Sequence, residues 1–340
     1  MGLVLRLALI SSLGVTAVSA NYPLSDHYDG KHFFNKAPIE HRNFIDLLRW
    51  MMEGGKKKWP EKVENKASPQ FPQGVDKHDI HVTYVNHASF FIQYGGLNIL
   101  TDPIFSERAS PVSFAGPKRV RIPGVALEQL PQVHYVIVSH NHYDHLDIPS
   151  LKDLNRKFHP QFLVPLGDAQ LLKSEGIENV VELDWWQSFV LQGRGEIQLV
   201  PCQHWSARGL FDRFESLWGA YLIKIDTAKI VFVGDAGYSY DFKSLYKKVG
   251  AIDLSIIPIG AYEPRWFMKA FHMNPDEAVQ AHLDMQSRYS LASHFGTFQL
   301  TNEGIDDPPK DLRESLKNRG LSSESFPVLE VGQTKSFNLK

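Results

Sequence analysis

The sequence predicts an α/β protein in which β-sheets are layered with helices. Three observations carry that prediction. Short apolar runs rich in β-branched residues recur from His81 onward, each followed by a polar loop. Stretches of helical spacing lie between some of them. Residues able to bind metal stand directly after several of the runs, as they do where strand ends gather at one edge of a layered fold.

In chain order, HVTYV, SFFIQY and LNILT lead to Asp102, and VHYVIVS leads to His140. IQLVP leads to Cys202, Gln203 and His204, and KIVFVG leads to Asp235. DLSIIPIG leads to Ala261 and Tyr262, and YSLAS leads to His294. Helical patterns cover residues 149–158, 167–175 and 275–285. The last starts at Pro275 with Asp276 and Glu277 behind it. Proline suits a first helical turn, and acids suit its positive end.

The chain before His81 has a different character. Residues 1–20, MGLVLRLALISSLGVTAVSA, carry one charge, Arg6, then an uncharged apolar run and small residues ahead of Asn21. This reads as a secretory signal peptide and predicts a secreted or periplasmic protein; an uncleaved anchor is the other reading. Residues 21–78 form an N-terminal extension, and 79–338 the catalytic domain. Within the extension Phe44, Ile45, Leu47, Leu48, Met51 and Met52 recur at the spacing of one helical face. Gly54 and Gly55 end that helix, and Lys56, Lys57, Lys58 and Trp59 follow. The stripe is expected to pack on the main domain beside a solvated lysine patch. The alternative is a membrane-facing surface that meets lipid headgroups.

Composition excludes several classes. Of 340 residues 43% are hydrophobic and 22% charged, values of a globular chain rather than a disordered one. Lys+Arg is 36 against Asp+Glu 38, so no basic excess points to nucleic acid. The single cysteine, Cys202, excludes a disulfide framework and a Cys-rich zinc module.

The 15 histidines matter for where they sit. Ser139-His140-Asn141-His142-Tyr143-Asp144-His145 puts three imidazoles and a carboxylate directly after a buried strand, and both groups are good ligands for zinc and similar ions. So tight a turn does not aim all four at one ion. Two ions, each taking two donors from the motif and more from His204, Asp235 and His294, satisfy it. The assignment is His140, His142 and His204 to one metal, Asp144, His145 and His294 to the other, and Asp235 bridging, as in dinuclear hydrolases.

SHNHYDHLD, with His, Asp and His downstream, resembles the metallo-β-lactamase superfamily. Longer blocks narrow the likeness. TDPIFSERASPVSFAGPKR, VVELDWWQS, QHWSAR, GDAGY, IPIGAYEPRWFM and SHFGTFQL are similar to N-acylphosphatidylethanolamine-hydrolysing phospholipase D and its bacterial relatives. The resemblance implies an αββα sandwich, two facing sheets with helices outside. It places the family's seven ligands on His140, His142, Asp144, His145, His204, Asp235 and His294, and implies a homodimer. It also places on Asp102 a carboxylate that supports the ligand histidines from behind; His87, near the same edge, is a candidate for a similar task. Two zinc ions per chain are the expectation, though iron and manganese accept the same ligands.

The implied reaction is hydrolysis of a phospholipid or other phosphodiester by metal-activated water, giving phosphatidic acid and an N-acylethanolamine. Asp144, Asp235 and His272 are the candidate catalytic residues. Arg265, Trp266 and His272, in YEPRWFMKAFHMNP, are candidates for substrate contact. Trp185, Trp186 and Trp205 are read as groove or core residues, and Cys202 as a buried thiol. Two alternatives stay open: the same site opening a lactone, lactam or ester, and a non-catalytic metal-binding envelope protein.

Overall fold

The structure, a computed structural model, describes residues 22–40, 42–72 and 79–339. The signal peptide read at 1–20 lies outside those residues, as do His41 and His78. No helix among the described residues is long and apolar enough to cross a membrane.

After α1 (Phe44–Glu53) come β1 (Asp79–Asn86), β2 (Ser89–Tyr94), β3 (Leu97–Thr101) and β4 (Tyr135–Ile137). The chain continues through α2 (Ile148–Phe158), β5 (Gln161–Pro165), α3 (Ala169–Ser174), β6 (Val180–Leu183), β7 (Ser188–Val190), β8 (Gly195–Val200), β9 (Ala220–Ile225) and β10 (Ala228–Phe232). It closes with α4 (Asp241–Val249), β11 (Leu254–Pro258), α5 (Arg265–Met268), α6 (Pro275–Asp284), β12 (Tyr289–Ser293), α7 (Asp307–Asn318) and β13 (Thr334–Asn338). One sheet has the order β13-β1-β2-β3-β4-β5-β6, the other β12-β11-β10-β9-β8-β7. Each is part antiparallel and part parallel: β3 to β6 run parallel, as do β10 to β12.

Alternation along the strands explains the layering. On β5, Leu163 joins the core shared with the second sheet, while Phe162 and Val164 join a separate core with Leu151 and Leu154 of α2 and Leu172 of α3. On β4, Ile137 points inward and Val136 outward. The second sheet is backed by Phe242 and Leu245 of α4, Ala278 and Val279 of α6 and Leu312 and Leu316 of α7. The result is the expected helix–sheet–sheet–helix sandwich.

The expected runs became strands β1, β2, β3, β4, β8, β10, β11 and β12, and the three helical patterns became α2, α3 and α6. Asn274 caps α6 by accepting from the Glu277 amide, and Pro275 opens it.

One expectation is reversed. The apolar stripe of α1 does not pack on the body, and no residue of that helix is buried. The helix is attached by its opposite side. Trp50 packs with its ring 5.0 Å from that of Phe267 and donates to Asn302, while Glu53 accepts from the Trp266 indole.

Tyr221 ties the sheets together where the metal-type motif begins. Its buried hydroxyl lies 3.1 Å from the carbonyl of Val138 and 2.9 Å from that of Leu163. Tyr221→Phe removes that link and is expected to cost about 1–3 kcal/mol, read as a lowered urea midpoint; an unchanged midpoint contradicts this.

Candidate metal centre

The site sits at the carboxyl ends of strands that share a direction within each sheet. β1 delivers His87, β3 Asp102 and β4 the 139–145 motif; β8 delivers His204, β10 Asp235 and β12 His294. The chain must turn sharply there. His87, Asp102 and His294 all have positive φ (47°, 31° and 59°), a conformation that Asp and His enter more readily than most residues. Gly234 also has positive φ, and a Cβ there would stand 2.4 Å from that of Ser139. Glycine is what lets β10 bring Asp235 against the motif.

Two groups of donors converge. In the first, His140 Nε2 lies 2.8 Å from His142 Nδ1, and His204 Nε2 lies 3.4 Å from that same nitrogen. Two donors each about 2.0–2.1 Å from one tetrahedral ion stand roughly 3.3 Å apart. In the second, Asp144 Oδ2 lies 3.4 Å from His145 Nε2, 3.3 Å from His294 Nε2 and 3.0 Å from His87 Nε2. Asp235 stands between the groups. Its Oδ2 is 3.1 Å from both His145 Nε2 and His294 Nε2, and 4.0 Å from His140 Nε2.

Hydrogen bonds behind the donors set which nitrogen faces inward. Asp102 Oδ2 accepts from His145 Nδ1 at 2.6 Å and from the Ser139 hydroxyl at 2.6 Å, and its Oδ1 accepts the Ser139 amide. The Ser139 proton is thereby committed, so its oxygen accepts from His140 Nδ1 at 2.9 Å. His204 Nδ1 donates to the Phe271 carbonyl at 3.0 Å. Each arrangement turns Nε2 into the cluster. His145 Nε2, His272 Nδ1 and Asp235 Oδ1 are buried without a hydrogen-bond partner, as groups turned toward a cation would be. The donor set therefore fits a pair of divalent ions.

Electrostatics divide the groups. Burial, reinforced by the neighbouring imidazoles, holds His140 well below the ordinary histidine range; burial does the same to His204 and brings His142 to about 4. These imidazoles are neutral and ready to ligate. In the second group burial opposes charge on His145 and His294, but Asp235 leads the carboxylates that outweigh it, raising His145 well above its usual value and His294 to about 9. Burial would lift Asp144 and Asp235, yet the facing histidines hold both well below the carboxylate range. Protons there occupy ground that a cation would take.

A profile of the beta-lactamase superfamily domain matches residues 97–295. The chain belongs to the metallo-β-lactamase superfamily. It is 40% identical over 267 residues to an N-acyl-phosphatidylethanolamine-hydrolyzing phospholipase D of Caenorhabditis elegans, covering 75% of each protein. It is 34% identical over 265 residues to the mitochondrial enzyme of that name from Saccharomyces cerevisiae, covering 76% of this chain and 56% of the yeast protein. Among solved structures, an isothiocyanate hydrolase from Delia radicum gut bacteria superposes with a TM-score of 0.61 at 20% identity, over 76% of this chain and 99% of that one. A metallo hydrolase from Ignicoccus hospitalis gives 0.59 at 20%, over 77% and 100%. These two likenesses concern the fold. The protein is a metal-dependent hydrolase of this superfamily.

Six of the seven expected ligands lie in the two groups and Asp235 stands between them, with Asp102 behind. His87 sits closer than a supporting role requires, within the second group. His272 stands beside the centre, its Nδ1 3.9 Å from Asp235 Oδ2. Arg265 is turned elsewhere: its guanidinium pairs with Glu277 at 2.6 Å and donates to the carbonyls of Tyr262 and His272, so it shapes the loop that carries His272. Trp266 faces α1, with Arg49 4.3 Å above its ring. Trp185 stacks on His27 and donates to the Trp218 carbonyl, whereas Trp205 packs 4.5 Å from His142. Cys202 is buried, its carbonyl accepting from Trp218.

Sequence reasoning missed Asn35. Its side chain clamps the backbone of His204 from both sides, donating to the carbonyl at 2.8 Å and accepting the amide at 3.0 Å. The pair is 169 residues apart in sequence, so no spacing signal announces it. Asn35→Ala and Asp102→Ala are each expected to weaken metal retention by about 10–100-fold, measured as metal released to a graded chelator. Retention equal to wild type contradicts the assigned supports.

Proposed function

We propose that the protein is a dinuclear phosphodiesterase of phospholipase D type, acting on N-acylphosphatidylethanolamine or a similar lipid. The observation that carries this is the pair of donor groups sharing Asp235. The two relatives named for that hydrolysis, at 40% and 34% identity, support the substrate class. His140, His142 and His204 would hold one ion, and Asp144, His145 and His294 the other, with Asp235 between; zinc suits this donor set, and iron and manganese share it.

Bound ions would supply Lewis acidity and an activated water near neutral pH. The chain's own residues supply orientation. Asp235 and Asp144 present carboxylate oxygens toward the attack position, and Asp102, Ser139 and the Phe271 carbonyl keep the imidazoles aligned. His272 is neutral at pH 7, because burial brings it to about 4 against the pull of Asp235. Its ring lies 5.4 Å from that of His204 and 5.5 Å from that of His294, placing it to hydrogen-bond a phosphoryl oxygen as charge develops. Water adds its oxygen to phosphorus, the bond to the ethanolamine oxygen breaks, and that oxygen takes a proton.

Metal-loaded protein given N-acylphosphatidylethanolamine is expected to release phosphatidic acid and N-acylethanolamine in equal amounts. His142→Ala or a chelator should lower the rate by about a hundredfold or more. Release of a free carboxylate instead of a phosphate monoester would move the protein to acyl hydrolysis. His272→Ala should lower kcat/KM by about 10–100-fold with metal content unchanged; equal turnover removes His272 from the reaction.

A further inference from the structure

Helix α1 is built the wrong way round for a soluble surface. At 3.6 residues per turn, Phe44, Ile45, Leu47, Leu48, Met51 and Met52 share one side, and Asp46, Arg49, Trp50 and Glu53 the other. An amphipathic helix normally buries the first side. Here the second is attached, through Trp50 to Phe267 and Asn302 and through Glu53 and Arg49 to Trp266, while Phe44, Ile45, Met51 and Met52 are 70%, 74%, 65% and 80% exposed. The polar attachments and the Asn43 cap, with its reciprocal Asp46 bond, hold the helix in this attitude without help from its apolar side.

A second apolar projection lies close by. Leu210 and Phe211 are 75% and 91% exposed at the tip of a loop rooted in the metal centre. At its base Arg208 donates to the carbonyls of Asn141, in the ligand motif, and of Leu146, directly after it. Arg213, on the other limb, lies 4.4 Å over Trp205 and donates to the Arg42 carbonyl just ahead of α1. The two projections therefore meet at Arg42 and Arg213, beside the catalytic site. Cations flank α1: Lys56 and Lys58 are exposed directly after it, and Arg49 is exposed on it.

We propose that α1 and the Leu210–Phe211 loop form a docking surface for an anionic lipid bilayer, holding the metal centre against the membrane. The inference rests on the lipid reading of the site for its occupant. Charge favours a bilayer over a second copy of the chain. Apolar side chains rimmed by lysine and arginine match acyl chains beneath anionic headgroups.

The test is flotation of metal-loaded protein with vesicles of phosphatidylcholine alone or with one third phosphatidylglycerol. Wild type is expected to float with the anionic vesicles and to be released by high salt. F44S/M52S and, independently, K56E/K58E are expected to weaken binding tenfold or more. Hydrolysis of the water-soluble bis(4-nitrophenyl) phosphate should stay within twofold of wild type in both variants, showing that the fold and the site are intact. Wild-type protein that ignores both vesicles, or variants that bind as it does, overturns the proposal. A dimer that F44S/M52S dissolves, without vesicle binding, overturns it in favour of self-association. Vesicle binding without lipid cleavage leaves the docking surface standing and removes the lipid phosphodiesterase reading instead.

Discussion

The structure depends on donor atoms that face one another in a largely buried cluster. His140, His142 and His204 bring nitrogens to 2.8 and 3.4 Å of each other, and Asp144 and Asp235 hold carboxylate oxygens against His145 and His294. Neutral imidazoles pointing lone pairs at a common centre repel until a cation stands between them. Burying carboxylates without one is costly. The other polar features of the site serve this convergence. Asp102 and Ser139 form a relay that orients His145 and His140, the Phe271 carbonyl orients His204, and Asn35 pins the backbone of that same histidine. An imidazole left free to rotate would relieve the repulsion by turning away, so these supports are part of the metal's binding energy.

The sandwich architecture makes the convergence achievable. Two sheets present strand ends at one edge, and each contributes donors the other lacks: the motif, Asp102 and His87 from one, His204, Asp235 and His294 from the other. Close approach between the sheets is therefore a condition of chemistry as well as of packing. Gly234 permits it at the Asp235 turn, and Tyr221 fastens it by reaching across to the backbone of β5 and of Val138, just past β4. Loops from outside the sheets complete the surroundings. Arg265 bonds the carbonyl of His272 and the carboxylate of Glu277, fixing the His272 loop to α6.

Much of this was legible in the sequence, and the reason is periodicity. Buried strands are continuous apolar runs, and ligands placed at their ends inherit the position of the run, so His204, Asp235 and His294 were readable even though each is a single residue. Long-range side-chain contacts leave no such trace. Asn35 meets His204 only because residues 22–35 are stitched to the body, with Tyr22 on Glu182 and His27 on Asp184. Arg265 was read from its neighbours in sequence, whereas its geometry is decided by Glu277 on the next helix. For α1, spacing correctly gave a helix with one apolar face. It carried no information about which face the body would take, since that choice rests on Trp50 meeting Phe267 and Asn302.

Anomalous diffraction from crystals of metal-loaded protein would reveal directly whether two ions share Asp235. Two peaks about 3.5–4 Å apart are expected, one within bonding distance of His140, His142 and His204, the other of Asp144, His145 and His294, with Asp235 reaching both. A single peak at full metal loading, or a second ion held by other residues, would contradict it.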